Sequence, residues 1–380
     1  MKLNRIKKYK ASLPEDTINK IKTVLESLGM EFQEEEVHGN NLFKALSLSV
    51  INPENKEMVF RTYGKGTTNQ WARASAYGEM IERIQNHAFY STLYYPTQPK
   101  ITNKNYTGFK YYPDEKVFSL KDNKSLDFIT NYQTLTSLAQ NEILSNSAIG
   151  IPYINLFENK TEYFPFRAMQ AVVGSNGMCS GNTREEALIQ GISEVFERYV
   201  LKSFYLSPFC PPEIPLMYFE GTDIYHKINQ LEKKHNFLIE IKDCSLGKGY
   251  PVIGIFVENC NGGYAFHLGA DPSPVTALER CFTEIFQGGS ICFQSINELN
   301  MNLPYNLDSD FWKKNLSQTI SAYAGQWPNA IFKDTPSYPF TGFDHPISLS
   351  DKEDLNYLLN ILKRENKKIY IQTSGNLNDI

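Results

Sequence analysis

No apolar run in this 380-residue sequence approaches the ~18 residues that a helix needs to cross a bilayer; stretches such as Pro251–Val257 fall far short. No membrane segment is therefore expected. The six cysteines (Cys179, Cys210, Cys244, Cys260, Cys281 and Cys292) include no C-x-x-C pair, which argues against a disulfide framework and a structural zinc site and reads as buried thiols. Basic charge is not in excess. A net charge of -4 argues against direct nucleic-acid binding, which needs a basic surface. The Lys/Arg-rich segment Met1–Lys10 is not followed by an apolar stretch, so no secretory signal is expected and a cytoplasmic protein is. There is no G-x-x-x-x-G-K-[ST] phosphate loop. Histidine is scarce too: only His87, behind Arg83, lies near one of the motifs described below, so a nucleophile–histidine triad has little support. Cys179 reads as inert.

What is present is a globular composition, 41% hydrophobic and 21% charged with 23 Tyr and 24 Phe, and enough length for one large or two fused domains. Three segments are expected: 1–95, a polar peripheral subdomain or long loops over 96–150, and 151–380. Ile18, Ile21, Val24, Leu25 and Leu28 recur at helical period before Gly29. Phe43–Val50 and Glu57–Tyr63 read as strands, Gly64-Lys65-Gly66 as a turn and Lys65–Tyr90 as a long helix. A strand, a glycine turn and a second helix are expected over Arg167–Tyr205. Tyr225–His235 reads as helix, Phe237–Asp243 and Tyr250–Val257 as strands, and a third helix starts near Ser273. Lys352–Arg364 and Lys368–Thr373 read as a last helix and strand.

Three of these segments resemble one another. Ala72, Ser75, Glu79, Glu82 and Arg83 match Ala187, Gln190, Glu194, Glu197 and Arg198, and again Ala277, Arg280, Glu284, Gln287 and Gly288, at one spacing. Thr67, Asn182 and Pro272 take the equivalent place before each helix. At ~100° per residue, Ser75, Glu79 and Glu82 share one stripe of their helix, and Glu186, Gln190, Glu194 and Glu197 share another. The second helix is apolar nearly all round otherwise, so its glutamates are not expected to be a solvated face. Like charges at this spacing repel, and burial adds to the cost. Converging glutamates would outnumber Arg83, Arg198 and Arg280, and a hard divalent cation with phosphate oxygens is the natural counterion. The bland alternative is a set of helix-surface ion pairs.

The segments Ser75-Ala-Tyr-Gly-Glu79-Met-Ile-Glu82-Arg83, Asn182-Thr-Arg-Glu-Glu186 with Glu194-Val-Phe-Glu197-Arg198, and Arg280-x-x-x-Glu284-x-x-Gln287 resemble the three ATP-binding motifs of YcaO-domain proteins. The likeness runs from about Lys10 to Thr373 and is nearest to the stand-alone enterobacterial branch of that family. It implies an α+β YcaO fold of mixed sheets, with three motif helices converging on a non-Walker ATP site. By position, Glu79, Glu82, Glu194, Glu197 and Glu284 would be Mg2+ ligands. Lys10, Thr17, Ser75, Asn182, Glu186, Arg198 and Arg280 would line ATP, and no residue is assigned a catalytic role. Cys179 and Arg280 stand where the enterobacterial branch has Ser and Gln. The implied chemistry is phosphorylation of a peptide backbone amide, or help in methylthiolating a ribosomal protein. Peptide or ribosomal-protein substrates and a RimO-like or TfuA-like partner are implied, with a homodimer left open. A non-turnover nucleotide-binding accessory protein and a metal-dependent hydrolase are the alternatives. Relatives continue past the strand that ends near Thr373, so the chain, ending at Ile380, reads as truncated at its C-terminal end.

Overall fold

The computed structural model describes residues 10–27, 29–37, 42–52, 54–86, 116–119, 147–165, 169, 173–288, 290–295, 306 and 308–372. They group into a larger unit, Met1–Ile81 with Cys179–Ile361, and a smaller one, Glu82–Met178 with Leu362–Ile380. Along the chain run α1 (Pro14–Ser27), β1 (Glu31–Val37), β2 (Lys44–Ile51), β3 (Met58–Gly66), α2 (Asn69–Gln85), β4 (Lys116–Ser119), β5 (Ser147–Asn155) and β6 (Lys160–Pro165). There follow α3 (Arg184–Leu206), α4 (Asp223–His235), β7 (Leu238–Asp243), β8 (Val252–Glu258), β9 (Gly263–Ala270) and α5 (Pro274–Ile285). The last are β10 (Gln294–Ser295), α6 (Asp310–Ala322), α7 (Asp351–Arg364) and β11 (Tyr370–Ile371). This is the α+β class expected, but among the described residues every strand pairing is antiparallel, where mixed sheets were expected.

The larger unit has two antiparallel sheets, of order β1-β2-β3 and β10-β9-β8-β7, and β3 of the first and β9 of the second each lead into a motif helix. Small residues set how closely helix meets strand. A side chain at Gly64 on β3 would strike the Ala72 carbonyl and the Ala76 amide of α2, and one at Gly269 on β9 would strike the Ala277 carbonyl and the Cys281 amide of α5. Position for position, the first and third sequence repeats are therefore the same strand–helix joint. This also corrects the expected turn at Gly64-Lys65-Gly66. These residues are the end of β3, paired with Leu46, Ala45 and Lys44, and α2 begins only at Asn69. Glycine is required there for close helix approach, not for a reversal of the chain. The rest of the expected helix, from His87 to Tyr90, lies outside the described residues.

The helix starts are shifted by one residue from the expected Thr67, Asn182 and Pro272. Thr68 Oγ1 accepts from Trp71 N–H at 3.3 Å, Thr183 Oγ1 from Glu186 N–H at 3.2 Å and Ser273 Oγ from Thr276 N–H at 3.4 Å. A hydroxyl at each of these places satisfies an otherwise orphaned amide of the first turn, which stabilises a helix by about 1 kcal/mol.

The sheet β7–β10 is covered on both faces. Ile253, Ile255, Val257 and Ala265 pack with α4 and with Val275, Leu278 and Phe282 of α5, and Phe43, just before β2, stacks on Phe282 and Phe286. Alternate positions of the same strands face the other way. There Phe266 meets Phe204 of α3 and Trp327, and Phe256 meets Phe332. Tyr205 of α3 donates to the Gln326 carbonyl and bonds Thr319 of α6. β9 and α6 had no assignment from sequence. The expectation that α3 is apolar and buried nearly all round is also corrected, since Val195 and Tyr199 are about half exposed.

The smaller unit holds β5, paired with β4 and β11 along one edge and β6 along the other. Of the expected peripheral segment 96–150, only 116–119 and 147–150 are described, and both stretches are strand.

Candidate active site

α3 and α5 lie against the same sheet, and the middle of α3 and the end of α5 carry glutamates into one charged cluster of the larger unit. Glu197 is buried in it, while Glu194 and Glu284 each keep 28% of their side chains exposed. The cations among them are Arg198, 3.9 Å from Glu194, and Lys65, whose ammonium is bonded to Glu284 and lies 3.5 Å from Gln287 Oε1. Lys65 comes from β3, so the third motif helix is met by the strand that precedes the first.

Among the described residues, Arg198 and Lys65 are the cations paired with these carboxylates. Burial pushes the Glu197 carboxyl up to about 7, and Glu284 and Glu194 push the same way against Arg198 and the Tyr323 hydroxyl. Burial would also raise Glu284, but the Lys65 ammonium outweighs it and holds that carboxyl below its ordinary value.

Tyr323 completes this part of the site. It caps α6 in the left-handed region at φ 51°, a conformation that costs a non-glycine residue about 1 kcal/mol or more, and its hydroxyl donates to Glu197 Oε1 at 2.7 Å. Its ring stacks on His267 of β9, with centroids 4.5 Å apart, and the Arg198 guanidinium lies 5.8 Å from the same ring's centroid. Arg198 also donates to the Ile320 carbonyl at 3.1 Å. Burial pulls the His267 imidazole down to about 4, so it is neutral, and its buried Nδ1 has no hydrogen-bond partner among the described residues.

A second group gathers nearer the N-terminal ends of the same helices, at the start of α3 and the middle of α5. Ala11 N–H donates to Glu186 Oε1 at 2.5 Å, Asn182 N–H to Glu186 Oε2 at 2.9 Å, and Thr17 Oγ1 to Asn182 Oδ1 at 2.9 Å. Arg280 reaches Asp271 at 3.5 Å. Lys10 is partly buried here, its ammonium disfavoured by desolvation and by Arg280, and favoured by Glu186, Asp271 and Asp351. The two groups are one turn apart on α5 (Arg280 to Glu284) and two to three turns apart on α3 (Glu186 to Glu194 and Glu197), roughly 6 Å and 12–16 Å along the axes.

Of the residues singled out from sequence, Lys10, Thr17, Asn182, Glu186 and Arg280 thus come together, as do Glu194, Glu197, Arg198 and Glu284. Glu79 and Ser75 lie half-buried on α2. Glu82, one turn further along that helix, is buried with its carboxylate 3.6 Å from Arg83, within the smaller unit. Lys65, Tyr323, His267, Asp271 and Asp351 were missed. Only Lys65 carried a sequence signal, its place between two glycines before a motif helix. The single histidine placed near a motif from sequence, His87, lies outside the described residues, whereas His267 stands beside Glu284.

Among the described residues no three His, Cys, Asp or Glu side chains are close enough to hold a metal ion by themselves. Mg2+ needs no such cage, because it usually takes one or two carboxylates and completes its shell with phosphate oxygens and water. The all-oxygen set of Glu194, Glu197 and Glu284, with more acid than cation, fits that demand.

Residues 63–374 match the protein family described as YcaO cyclodehydratase, ATP- and Mg2+-binding. The chain is 31% identical over 96% of its length to an uncharacterised protein of Haemophilus influenzae, and 32% identical over 94% to the ribosomal protein S12 methylthiotransferase accessory factor YcaO of Escherichia coli. It spans 62% and 61% of those relatives. A heterocyclase solved in complex with substrate and cofactor shares the fold, with a TM-score of 0.63 and 18% identity over 97% of this chain and 51% of the other. So does YcaO from Methanopyrus kandleri bound with AMPPCP and Mg2+, at 0.56 and 19% over 97% of this chain and 88% of the other. With the family match covering most of its length and the motif glutamates of two helices gathered in one cluster, the chain belongs to the YcaO family.

Proposed function

We propose that this protein is a Mg2+/ATP-dependent YcaO-type enzyme that activates a peptide backbone amide by phosphorylating its oxygen. The observation that carries the reading is the Glu194–Glu197–Glu284 cluster, whose negative charge exceeds what Arg198 and Lys65 balance. Glutamates of this cluster would share a Mg2+ shell with phosphate oxygens and water, one or two carboxylates to an ion, and Glu79 and Glu82 have the same proposed role on the first motif helix. When bound, Mg2+ supplies neutralisation of the charge on phosphate oxygens during phosphoryl transfer.

The chain's own residues do the rest. Lys10, placed where its charge is disfavoured, gains from any anion placed beside it, so a phosphate there restores its preference for the ammonium form. Arg198, tied to Glu194 and the Ile320 carbonyl, presents a positive charge that needs no reorganisation at the moment of transfer. Thr17, Asn182, Glu186, Arg280 and Ser75 are proposed to line the nucleotide. Tyr323 holds Glu197 in one orientation through its hydroxyl. Phosphoryl transfer asks for such positioning more than for a protein nucleophile, in keeping with the lack of a nucleophile–histidine pair among these residues.

A second reading, an accessory role in modifying a ribosomal protein beside a RimO-type or TfuA-type partner, is supported by the name of the E. coli relative. Calorimetric titration with AMPPCP and Mg2+, followed by phosphate release assays with and without candidate peptides, tests both. Binding with peptide-stimulated phosphate release is expected. Binding without turnover under any peptide favours the accessory role. Metal binding with no nucleotide affinity favours a metal-dependent hydrolase and refutes both.

A further inference from the structure

We propose that Lys65 is a built-in stand-in for the metal cation, occupying Glu284 in the nucleotide-free protein and leaving it when a divalent cation binds. This rests on the Mg2+–nucleotide reading above and adds a residue to which that reading gives no role. The three motif copies are compensated differently. In the first, Glu82 has Arg83 next to it in sequence at 3.6 Å, and in the second, Glu194 has Arg198 at 3.9 Å. The third copy has Gly288 where the others have arginine, and Gln287 where they have a second glutamate. Its one carboxylate, Glu284, is instead met by Lys65 from β3, with the Gln287 amide oxygen 3.5 Å from the same ammonium.

The backbone around Lys65 is fixed, while its charge sits at the end of a long side chain. Gly64 and Gly66 on either side are held by close contact with the α2 backbone, and Lys65 itself pairs with Ala45 in the ladder. From that anchor runs a flexible four-carbon stem ending in a compact point charge. With 26% of the lysine and 28% of the glutamate side chain exposed, the pair opens to solvent, so a cation can reach Glu284 and the ammonium has somewhere to go. A lysine and a divalent cation on one carboxylate exclude each other by charge. The pair therefore neutralises Glu284 while the site is empty and makes binding of bare metal compete with an internal cation. A metal arriving with a nucleotide brings phosphate oxygens that accept the displaced ammonium.

Electron paramagnetic resonance titration of Mn2+ into wild type, Lys65→Met and Lys65→Arg, with and without AMPPCP, tests this. Lys65→Met should bind Mn2+ alone at least ~10-fold more tightly than wild type, since the loss of one charge-assisted pair frees Glu284. Lys65→Arg keeps a cation and should bind Mn2+ alone as wild type does. In wild type, reductive methylation of Lys65 should quicken as Mn2+ saturates the protein. Equal Mn2+ affinity in wild type and Lys65→Met overturns the proposal, and should Lys65→Met not fold, a methylation rate unmoved by Mn2+ does so. Failure of the wild type to bind Mn2+ with AMPPCP is a different result, which refutes the Mg2+–nucleotide reading while the Mn2+-only comparison still decides the role of Lys65.

Discussion

Replacing Glu197 with glutamine should stabilise the nucleotide-free protein, and by an amount that depends on pH. Glutamine keeps the oxygen that accepts from Tyr323 and removes only the ionisation that burial opposes. The carboxyl titrates at about 7 in the folded protein against 4.5 when free. A carboxyl raised in this way contributes stability that is fully present below about 4.5 and is lost as pH rises through 7, because the folded state holds the proton longer. The substituted glutamine, which does not titrate, loses nothing over that range. The advantage of the variant should therefore be about 1 kcal/mol at pH 5, about 2 at pH 6 and about 3 at pH 8, since each tenfold difference in proton affinity between folded and unfolded states is worth ~1.4 kcal/mol. Thermal melts of wild type and Glu197→Gln from pH 5 to pH 8, in metal-free buffer, measure it. The gap in Tm should widen with pH and then flatten. A gap equal at pH 5 and pH 8, or a variant less stable than wild type at pH 8, would refute the argument that Glu197 is a buried carboxylate short of a cation. Adding Mg2+ and AMPPCP should reverse the order, because ligand binding stabilises the form that binds it.

The remaining expectations concern other parts of the molecule. Arg198→Ala leaves Glu194 and Glu197 without their neighbouring cation, so nucleotide-free stability should fall by about 2 kcal/mol at pH 8, read by urea denaturation, and nucleotide affinity should fall with it; surface ion pairs would instead give losses of ~0–1 kcal/mol and unchanged binding. Gly64→Ala and Gly269→Ala drive a methyl into the backbone of α2 and α5, so each should cost more than about 3 kcal/mol or abolish soluble expression, whereas Gly174→Ser, with open space around it but φ at +59°, should cost only about 1 kcal/mol. Glu34 is held below the ordinary carboxylate range first by its hydrogen bonds from Arg73, which outweigh its burial, and by Tyr77. Its stabilising contribution is present above the unfolded value and is lost as pH falls below it, so Glu34→Gln should narrow the difference in Tm between pH 6 and pH 3 relative to wild type.

The motif helices were legible because a helix repeats at a fixed period. Glu79, Glu194 and Glu284 stand at one spacing, with Ala72, Ala187 and Ala277 seven residues before them, and regular periodicity survives in a single sequence. Even the joint of strand and helix left a trace, in Gly64 and Gly269, though glycine alone did not say whether a turn or a close approach required it. The backbone of α2 decided that, by leaving no room for a side chain on β3. The one-residue shift to Thr68, Thr183 and Ser273 at the helix starts was decided by which hydroxyl reaches the amide three residues on. The pairing of Lys65 with Glu284, 219 residues away in sequence, and of Tyr323 with Glu197, 126 away, left no pattern, because pairing across such a separation depends on how sheets and helices stack. The sequence by itself thus determined which carboxylates share a helix face and that they lack enough neighbouring cations. The tertiary structure alone decided which lysine, tyrosine and histidine surround them, and burial in that packing turned Glu197 from an ordinary acid into one that titrates near neutrality.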